Sequence, residues 1–159
     1  MKKNDLKLQV AAAIQACLDK KAEELSILEM EKGSAFTDYF VLCSGTNPRQ
    51  VQAIADEVEL RLKAAGLRPA HVEGYRQAEW ILVDYVDFVV HVFSEKARKF
   101  YDLERLWKTA KRLEPSELKA KTPAKAASGT KTKTKTKIKI KTKTMPRRMA
   151  STVPRRKKA

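Results

Sequence analysis

Residues Val72–Trp107 read VEGYRQAEWILVDYVDFVVHVFSEKARKFYDLERLW, and their pattern determines which kind of sheet the chain can build. The stretch holds both tryptophans, three of the four tyrosines and three of the five phenylalanines. Its two β-rich runs, Glu79–Tyr85 and Phe88–Phe93, are separated by only two residues, which predicts an antiparallel hairpin. A helical pattern follows. Such an aromatic cluster forms either a core or a docking surface, and we interpret this one as partly both.

Toward the N-terminus, the sequence predicts one helix and two strands. Apolar residues recur at helical spacing over about residues 5–21, and Leu25–Met30 has the composition of a strand. Ala35–Ser44 is aromatic, β-branched and almost continuously apolar, which is typical of a central strand buried on both faces. Asn47 as N-cap and Pro48 at the first helical position then predict a second long helix.

The C-terminal part of the pattern completes the expected architecture. Pro69–Tyr75 reads as a further strand, and Ser94 can cap a final helix that Pro115 stops. The apolar positions of that helix are Phe100, Leu103, Trp107 and Ala110. The order α β β α β β β α, with one βαβ crossover, predicts an α/β fold: a mixed five-stranded sheet flanked by helices.

The charge of the chain is divided unevenly between two parts. The 159 residues carry a formal charge of +15, yet residues 1–118 hold only 18 of the 34 Lys and Arg and all 19 Asp and Glu. Residues 119–159 therefore hold 16 cations and no acid, in a Lys- and Thr-rich sequence that cannot bury a core. We predict one domain over 1–118 and a disordered basic C-terminal tail over 119–159.

Two interpretations of the tail remain open. It is either a solubilising extension or a segment that neutralises RNA phosphates without sequence specificity. Because it has no aromatic residue, it cannot stack bases, so any RNA contact would be electrostatic. The candidate contacts are Lys131, Lys133, Lys135, Arg147 and Arg148.

Composition also bears on the compartment. No apolar run approaches the roughly 18–20 residues that span a bilayer, and polar residues interrupt the N-terminal segment where a signal peptide would be apolar. Cys17 and Cys43 lack metal-ligand spacing and are expected to be buried, reduced thiols. We expect a cytoplasmic protein.

An enzymatic reading finds little support in the sequence. Ser44-Gly45-Thr46 lies between a strand and a helix N-terminus, where backbone N–H groups can hold a phosphate. A nucleotidyltransferase also needs two or three close carboxylates for magnesium, but the strand after the helix offers only Glu73. The two histidines, without nearby cysteines, make a poor zinc set. We therefore predict no catalytic residue, no metal and no cofactor.

Trp80 is the main candidate for an interface. Strand alternation places it on one face with Leu82 and Asp84, opposite Ile81 and Val83. A large aromatic side chain beside a carboxylate on an open face is typical of a protein interface. The alternative is that a helix also covers this face and that Trp80 is core, and the pattern alone favours neither. Ile81 and Val83 are expected to pack against the last helix.

The domain resembles the ribosomal silencing factor family, also called the Iojap or RsfS family, over about residues 5–108. The resemblance rests on a series of short matches in a fixed order. They are Phe36-Thr37-Asp38-Tyr39-Phe40, Cys43-Ser44-Gly45-Thr46, Arg49-Gln50-Val51, Ala53-Ile54-Ala55-Asp56, Val72-Glu73-Gly74, Trp80-Ile81-Leu82-Val83-Asp84-Tyr85, Val90-His91-Val92-Phe93 and Tyr101-Asp102-Leu103-Glu104-Arg105-Leu106-Trp107. The basic tail is not among them.

The resemblance implies a fold like a degenerate nucleotidyltransferase and a function without chemistry. Members of the family bind the large ribosomal subunit through large-subunit ribosomal protein fourteen. They sterically block joining of the small subunit and so repress translation when nutrients are short. Related members act in large-subunit assembly in organelles, which leaves an assembly factor with an RNA-binding tail as the alternative. Members are often homodimers.

The resemblance also implies which residues contact the ribosomal protein. Trp80 and Asp84 are the first candidates, followed by Tyr85, His91 and Tyr101. The tail, if it binds RNA, would contact ribosomal RNA near the docking site.

Overall fold

The computed structural model describes residues 3–33 and 35–118, which form a mixed sheet with helices on both faces. The helices are Lys3–Asp19 (α1), Pro48–Ala64 (α2), Glu95–Tyr101 (α3), Leu103–Leu106 (α4) and Pro115–Leu118 (α5). The strands are Glu23–Glu29 (β1), Tyr39–Gly45 (β2), His71–Glu73 (β3), Trp80–Asp84 (β4), Phe88–Ser94 (β5) and Lys111–Leu113 (β6).

The sheet has the order β3-β4-β5-β2-β1-β6, with the two most apolar strands at its centre. β2 and β5 pair in parallel, while the other neighbours are antiparallel. The predicted hairpin of β4 and β5 is confirmed, with Trp80 opposite Phe93 and Leu82 opposite His91. Because β3 covers the outer side of β4, the hairpin is not an edge of the sheet; the two edge strands are β3 and β6.

α2 begins as its capping residues predict. The Asn47 side chain accepts a hydrogen bond from the Gln50 backbone N–H at 2.9 Å, and Pro48 occupies the first turn. Pro48 has no N–H to leave unsatisfied at this position. The chain leaves the helix through Gly66 at φ +85°, a left-handed conformation that glycine adopts without steric cost.

α1 and α2 cover one face of the sheet, which we call the first face. Its buried residues include Val10 and Ile54 from the helices and Ile81, Val83 and Tyr85 from the sheet. The expectation that Ile81 and Val83 pack against the last helix is therefore wrong. The hairpin turns these side chains toward the two long helices, and α3 and α4 lie on the opposite, second face.

The single final helix predicted up to Pro115 is also wrong. Asp102 adopts a left-handed conformation at φ 44°, which ends α3 and starts the four-residue α4 at a new angle. Lys111–Leu113 then pairs antiparallel with β1, so the sheet has six strands instead of five. Phe100, expected to be apolar core, is 80% exposed because α3 turns Ala97 and Arg98 toward the sheet instead.

The remaining expectations concern cysteines, membranes and the tail. Cys17 and Cys43 are free and fully buried, with their Sγ atoms 3.8 Å apart, as predicted. Within the described residues, no helix is both long and apolar enough to cross a bilayer. The predicted tail lies outside the described residues, so the domain boundary at Leu118 stays a prediction.

We expect Gly74→Ala to destabilise the fold by more than about 3 kcal/mol, because two costs act together. The residue has φ +78°, which costs an L-residue about 1–2 kcal/mol, and its Cβ would lie 2.0 Å from the Trp80 carbonyl oxygen. Chemical denaturation measures the free energy of unfolding. Gly66→Ala is the matched control, since its φ is +85° but no atom lies within 4 Å of its added Cβ. Equal losses in the two variants would contradict the clash.

Candidate docking surface

The second face of the sheet is only partly covered. Its buried cluster contains Leu28, Met30, Leu42, Phe93 and Ala97. Around this cluster lie apolar side chains that stay partly accessible, namely Ala35, Phe40, Trp80, Leu103, Trp107 and Ala110. α3 and α4 are too short to cover a sheet of this width, so part of the face remains open to a partner.

Arg98 on α3 attaches this thin cover to the sheet. Its side chain is only 7% exposed. It donates to the Ser44 hydroxyl at 3.2 Å and to the Glu24 carbonyl oxygen at 2.9 Å, and it forms an ion pair with Glu104 on α4. Its guanidinium carbon also lies 5.9 Å from the centre of the Phe93 ring. A buried guanidinium is tolerated only with such partners, so these bonds fix the position of α3 and α4.

Trp80 is held in a half-buried position by three side chains of the second face. Its ring lies 5.1 Å from Phe93 and 4.7 Å from Tyr101, measured between centroids. Its indole N–H donates to Nδ1 of His91 at 3.1 Å. The alternatives left open by the sequence therefore both apply in part: the indole packs against the buried cluster and stays partly accessible.

His91 lies beneath Trp80 and is 4% exposed. Burial and, to a smaller extent, the nearby positive charge of Arg98 lower its pKa to about 4, although Asp84 opposes both effects. The ring is therefore neutral near pH 7, and because Nδ1 accepts the bond from Trp80, the proton resides on Nε2. No described residue bonds to that buried Nε2.

A mainly apolar groove of about 470 Å³ runs beside this pair. Phe36 and Val86 stand exposed at its edges, and Phe40 and Trp107 form part of its wall with their rings 5.8 Å apart. Asp84 lies at the rim, where one carboxylate oxygen accepts from the Val86 backbone N–H at 2.7 Å. Asp84 thus stabilises the hairpin turn and also places a negative charge beside an apolar groove.

The structure brings together four of the five residues predicted to contact a partner. Trp80, Asp84, His91 and Tyr101 share the second face, with Tyr101 about half exposed and His91 below the surface. Tyr85 does not join them. It is 5% exposed on the first face, where its ring stacks on Phe88 at 4.9 Å. Strand alternation turns it away from Asp84, and its burial argues against the predicted role as a contact residue.

Sequence reasoning missed the aromatic residues that complete the groove, which are Phe36, Phe40 and Trp107. Phe40 in β2 pairs with Val89 in β5, so their side chains point to the same face of the sheet. His91 lies two residues after Val89 in the same strand and therefore shares that face. Because almost every residue of β2 is apolar, its sequence does not show which side chains point to which face. The predicted RNA contacts Lys131, Lys133, Lys135, Arg147 and Arg148 lie outside the described residues.

The loop before α2 gives the phosphate hypothesis no support. The Gln50 side-chain oxygen accepts from the Thr46 backbone N–H at 2.8 Å and from its hydroxyl at 2.9 Å. Gly45 packs tightly, since a Cβ there would lie 2.9 Å from a Val51 methyl carbon. The chain's own side chains thus use the donors that a phosphate would need. Within the described part of the chain, no three His, Cys, Asp or Glu side chains cluster as a metal site.

We predict that His91 makes folding sensitive to mild acid. In the unfolded chain its pKa returns to about 6.5, so below that pH the unfolded state takes up a proton that the folded state excludes until about pH 4. Stability is therefore lost as pH falls through this window. Between pH 7 and pH 5 the loss from this residue is about 2 kcal/mol.

The measurement is the free energy of unfolding at pH 7 and pH 5 in wild type and in His91→Asn, which keeps an acceptor near the position of Nδ1. The pH-dependent loss should be about 2 kcal/mol smaller in the variant. His71→Asn is the control. The Nδ1 atom of His71 lies 3.8 Å from an Asp84 carboxylate oxygen, but the His71 side chain is 71% exposed, so solvent screens the pair and the loss should change little. Equal losses in wild type and His91→Asn would contradict the buried, neutral imidazole.

Comparisons with known proteins agree on one family. The family model described as "Ribosomal silencing factor during starvation" matches residues 3–141, which extends past Leu118 into the basic segment. The ribosomal silencing factor RsfS of Bacillus subtilis is 46% identical over 100 residues, covering 63% of this chain and 83% of the relative.

Two further comparisons concern the fold and a more distant relative. A crystal structure of a Chromobacterium violaceum protein aligns with a TM-score of 0.63 and 34% identity, covering 68% of this chain and 88% of that one. The mouse protein "Mitochondrial assembly of ribosomal large subunit protein 1" is 26% identical over 104 residues, covering 64% of this chain and 46% of its own. With most of its length matched by the family model, the chain belongs to the ribosomal silencing factor family.

Proposed function

We propose that the chain is a translational repressor that docks on the large ribosomal subunit with its second face and blocks the small subunit from joining. The docking partner is large-subunit ribosomal protein fourteen. The observation that carries the proposal is Trp80: a large, partly accessible aromatic side chain that contacts Tyr101 and donates to His91, which lines the apolar groove. Family membership supports the ribosomal target.

The geometry of the second face supports a protein partner. Interfaces draw most of their affinity from a few aromatic anchors that become fully buried on binding. The indole is already restrained by a hydrogen bond and two ring contacts, so binding orders little that was free before. The groove can receive an apolar side chain of the partner, and Asp84 at its rim favours a partner cation nearby.

Blocking subunit association requires affinity and bulk at the right place, and it requires no bond making. We therefore propose a non-enzymatic factor that acts in the cytoplasm without a cofactor. An interface of standard size, about 1,600 Å² in total, would supply the affinity. A homodimer stays a prediction, with β3 as the exposed sheet edge most suited to pairing.

We expect Trp80→Ala to weaken binding to purified large subunits by at least about 30-fold, because it removes the central aromatic contact. Cosedimentation over a range of protein concentrations measures the affinity. Trp80→Phe keeps an aromatic ring against Phe93 and Tyr101 and separates lost contact from lost folding. Leu60→Ala is the control, since Leu60 is 64% exposed on α2, across the sheet from the second face.

The same assay tests the charge at the groove. Asp84→Asn keeps an acceptor for the Val86 N–H but removes the negative charge, so binding should weaken and depend less on salt. Asp87→Asn removes the same charge from the hairpin turn, directly after Val86, and should bind like wild type. The proposal fails if wild type does not cosediment with large subunits, or if Trp80→Ala binds equally well. Failure of the bound protein to reduce joining by small subunits would reject occlusion.

A second candidate is a large-subunit assembly factor whose tail binds ribosomal RNA. The name of the mouse relative and the cationic composition of residues 119–159 favour it. This candidate predicts binding that survives Trp80→Ala but is lost on deletion after Leu118. If the tail only assists docking, the deletion should weaken binding at low salt and matter less at high salt. Equal binding by both chains at every salt concentration would exclude any role for the tail.

A further inference from the structure

A second exposed patch adjoins the docking surface and shares only Tyr101 with it. Phe100 is 80% exposed, Leu106 is 71% exposed and Tyr101 is 49% exposed. These side chains line a shallow depression of about 480 Å³ on α3 and α4, together with Lys99, Asp102, Arg105 and Lys108. We call this surface the α3–α4 patch. Adjacent large apolar side chains at such exposure usually mark an interaction site.

The two aromatic rings of the patch are arranged edge to face. The centroids of Phe100 and Tyr101 lie 5.1 Å apart at an interplanar angle of 88°. Tyr101 in turn contacts Trp80, so the patch is continuous with the second face. Tyr101 is half covered by these neighbours, whereas the Phe100 ring is open to a flat aromatic partner.

Positive charge is concentrated around these rings. Residues 95–112 contain seven Lys and Arg but only three Asp and Glu, although residues 1–118 as a whole carry a formal charge of −1. The Arg98–Glu104 pair is buried and neutralises itself. Lys99, Arg105 and Lys108 are exposed and form no ion pair with any residue in the ranges 3–33 and 35–118.

We propose that the α3–α4 patch binds single-stranded RNA. An unpaired base stacks on Phe100, and the neighbouring phosphates approach Lys99, Arg105 and Lys108, the combination by which proteins hold single strands without sequence readout. The negative charge of Asp102, in the same depression, repels phosphates and so favours their approach to the three cations. The choice of RNA over DNA rests on the proposed ribosomal function. Base stacking on Phe100 and phosphate binding by the cations do not depend on that function.

The chemistry favours RNA over two other anionic partners. A lipid surface would require an amphipathic helix with a broad apolar face, but α3 and α4 have only seven and four residues and meet at a break. An acidic peptide would satisfy the cations but has no use for an exposed aromatic face. A nucleobase and its phosphates satisfy both features.

The test measures binding of a fluorescent 12-nucleotide RNA of mixed sequence to the full chain by anisotropy, without ribosomes, across salt concentrations. The tail contributes equally to every variant. Replacing Lys99, Arg105 and Lys108 together by Gln should lower the slope of log affinity against log salt by about 2, since each single-strand phosphate contact contributes about 0.7. Phe100→Ala should weaken binding about tenfold, as loss of one stacked base does.

Matched controls separate the patch from net charge and from general exposure of aromatics. Replacing Arg49, Lys63 and Arg68 together by Gln removes the same charge from exposed positions on and near α2, across the sheet. Phe36→Ala removes a phenylalanine of the groove that is even more exposed than Phe100. Both controls should bind RNA like wild type. In wild type, a duplex of the same sequence should bind more weakly than the single strand because its bases cannot stack on Phe100.

Several outcomes would overturn the proposal. Equal slopes for the two triple variants would show that only net charge matters, and unchanged affinity of Phe100→Ala would remove the stacking contact. If the patch variants lost binding to anionic phospholipid vesicles while their RNA affinity stayed unchanged, the patch would be assigned to a membrane. Loss of large-subunit binding by Phe100→Ala with unchanged RNA affinity would assign it to a protein and leave the docking proposal intact. Conversely, if Trp80→Ala bound large subunits as well as wild type, the docking proposal would fail but the RNA-binding result would be unaffected.

Discussion

The buried guanidinium of Arg98 is the interaction on which the second face depends. It connects α3 to the end of β2, to the backbone of β1 and to Glu104 on α4. A charge in this position costs several kcal/mol unless each of its partners is kept, so the segment after β5 has little freedom to shift. The cover it forms is therefore both thin and rigid.

That partial cover explains why Trp80 is neither core nor free surface. On the first face, α1 and α2 bury every inward side chain of β4 almost completely. On the second face, Tyr101 and Phe93 support the indole from two sides, and the neutral His91 accepts its N–H. The protein thereby presents a large aromatic group in one orientation, and this suits recognition by shape more than it suits catalysis.

Two surfaces of different chemistry meet at Tyr101. Toward the hairpin, the groove is apolar and carries the negative charge of Asp84. Toward α4, the patch carries three cations around Phe100. A ribosomal subunit offers basic proteins beside anionic RNA, so adjacent surfaces of opposite charge would fix the orientation of docking as well as its affinity. Orientation matters for a factor that acts by occupying space.

Much of the fold follows from local sequence chemistry. The cap at Asn47, the hairpin between β4 and β5 and the shared face of Trp80 with Asp84 each depend on neighbours in sequence, and all were predictable. The β6 strand and the break at Asp102 were not, because a three-residue edge strand gains its stability from pairing with β1 and a left-handed residue interrupts an otherwise helical spacing.

The candidate site was predictable to a similar degree. Alternation placed Trp80 and Asp84 on one face, and the family resemblance added His91 and Tyr101. Alternation could not show which face the long helices cover. For that reason Ile81 and Val83 were assigned to the wrong neighbours. Phe36, Phe40 and Trp107 come from three separate segments, and only the parallel pairing of β2 with β5 and the turn of the chain after Asp102 bring them to one groove.

Side-chain oxidation by hydroxyl radicals, with and without purified large subunits, tests the central claim most directly. Aromatic side chains react readily, so the experiment reports the footprint residue by residue. The account predicts that Trp80, Phe36 and Tyr101 become protected on binding, while Tyr75 and Leu60, which are exposed outside the second face, remain as reactive as in the free protein. Protection of Tyr75 and Leu60 with unchanged oxidation of Trp80 would contradict docking through the second face.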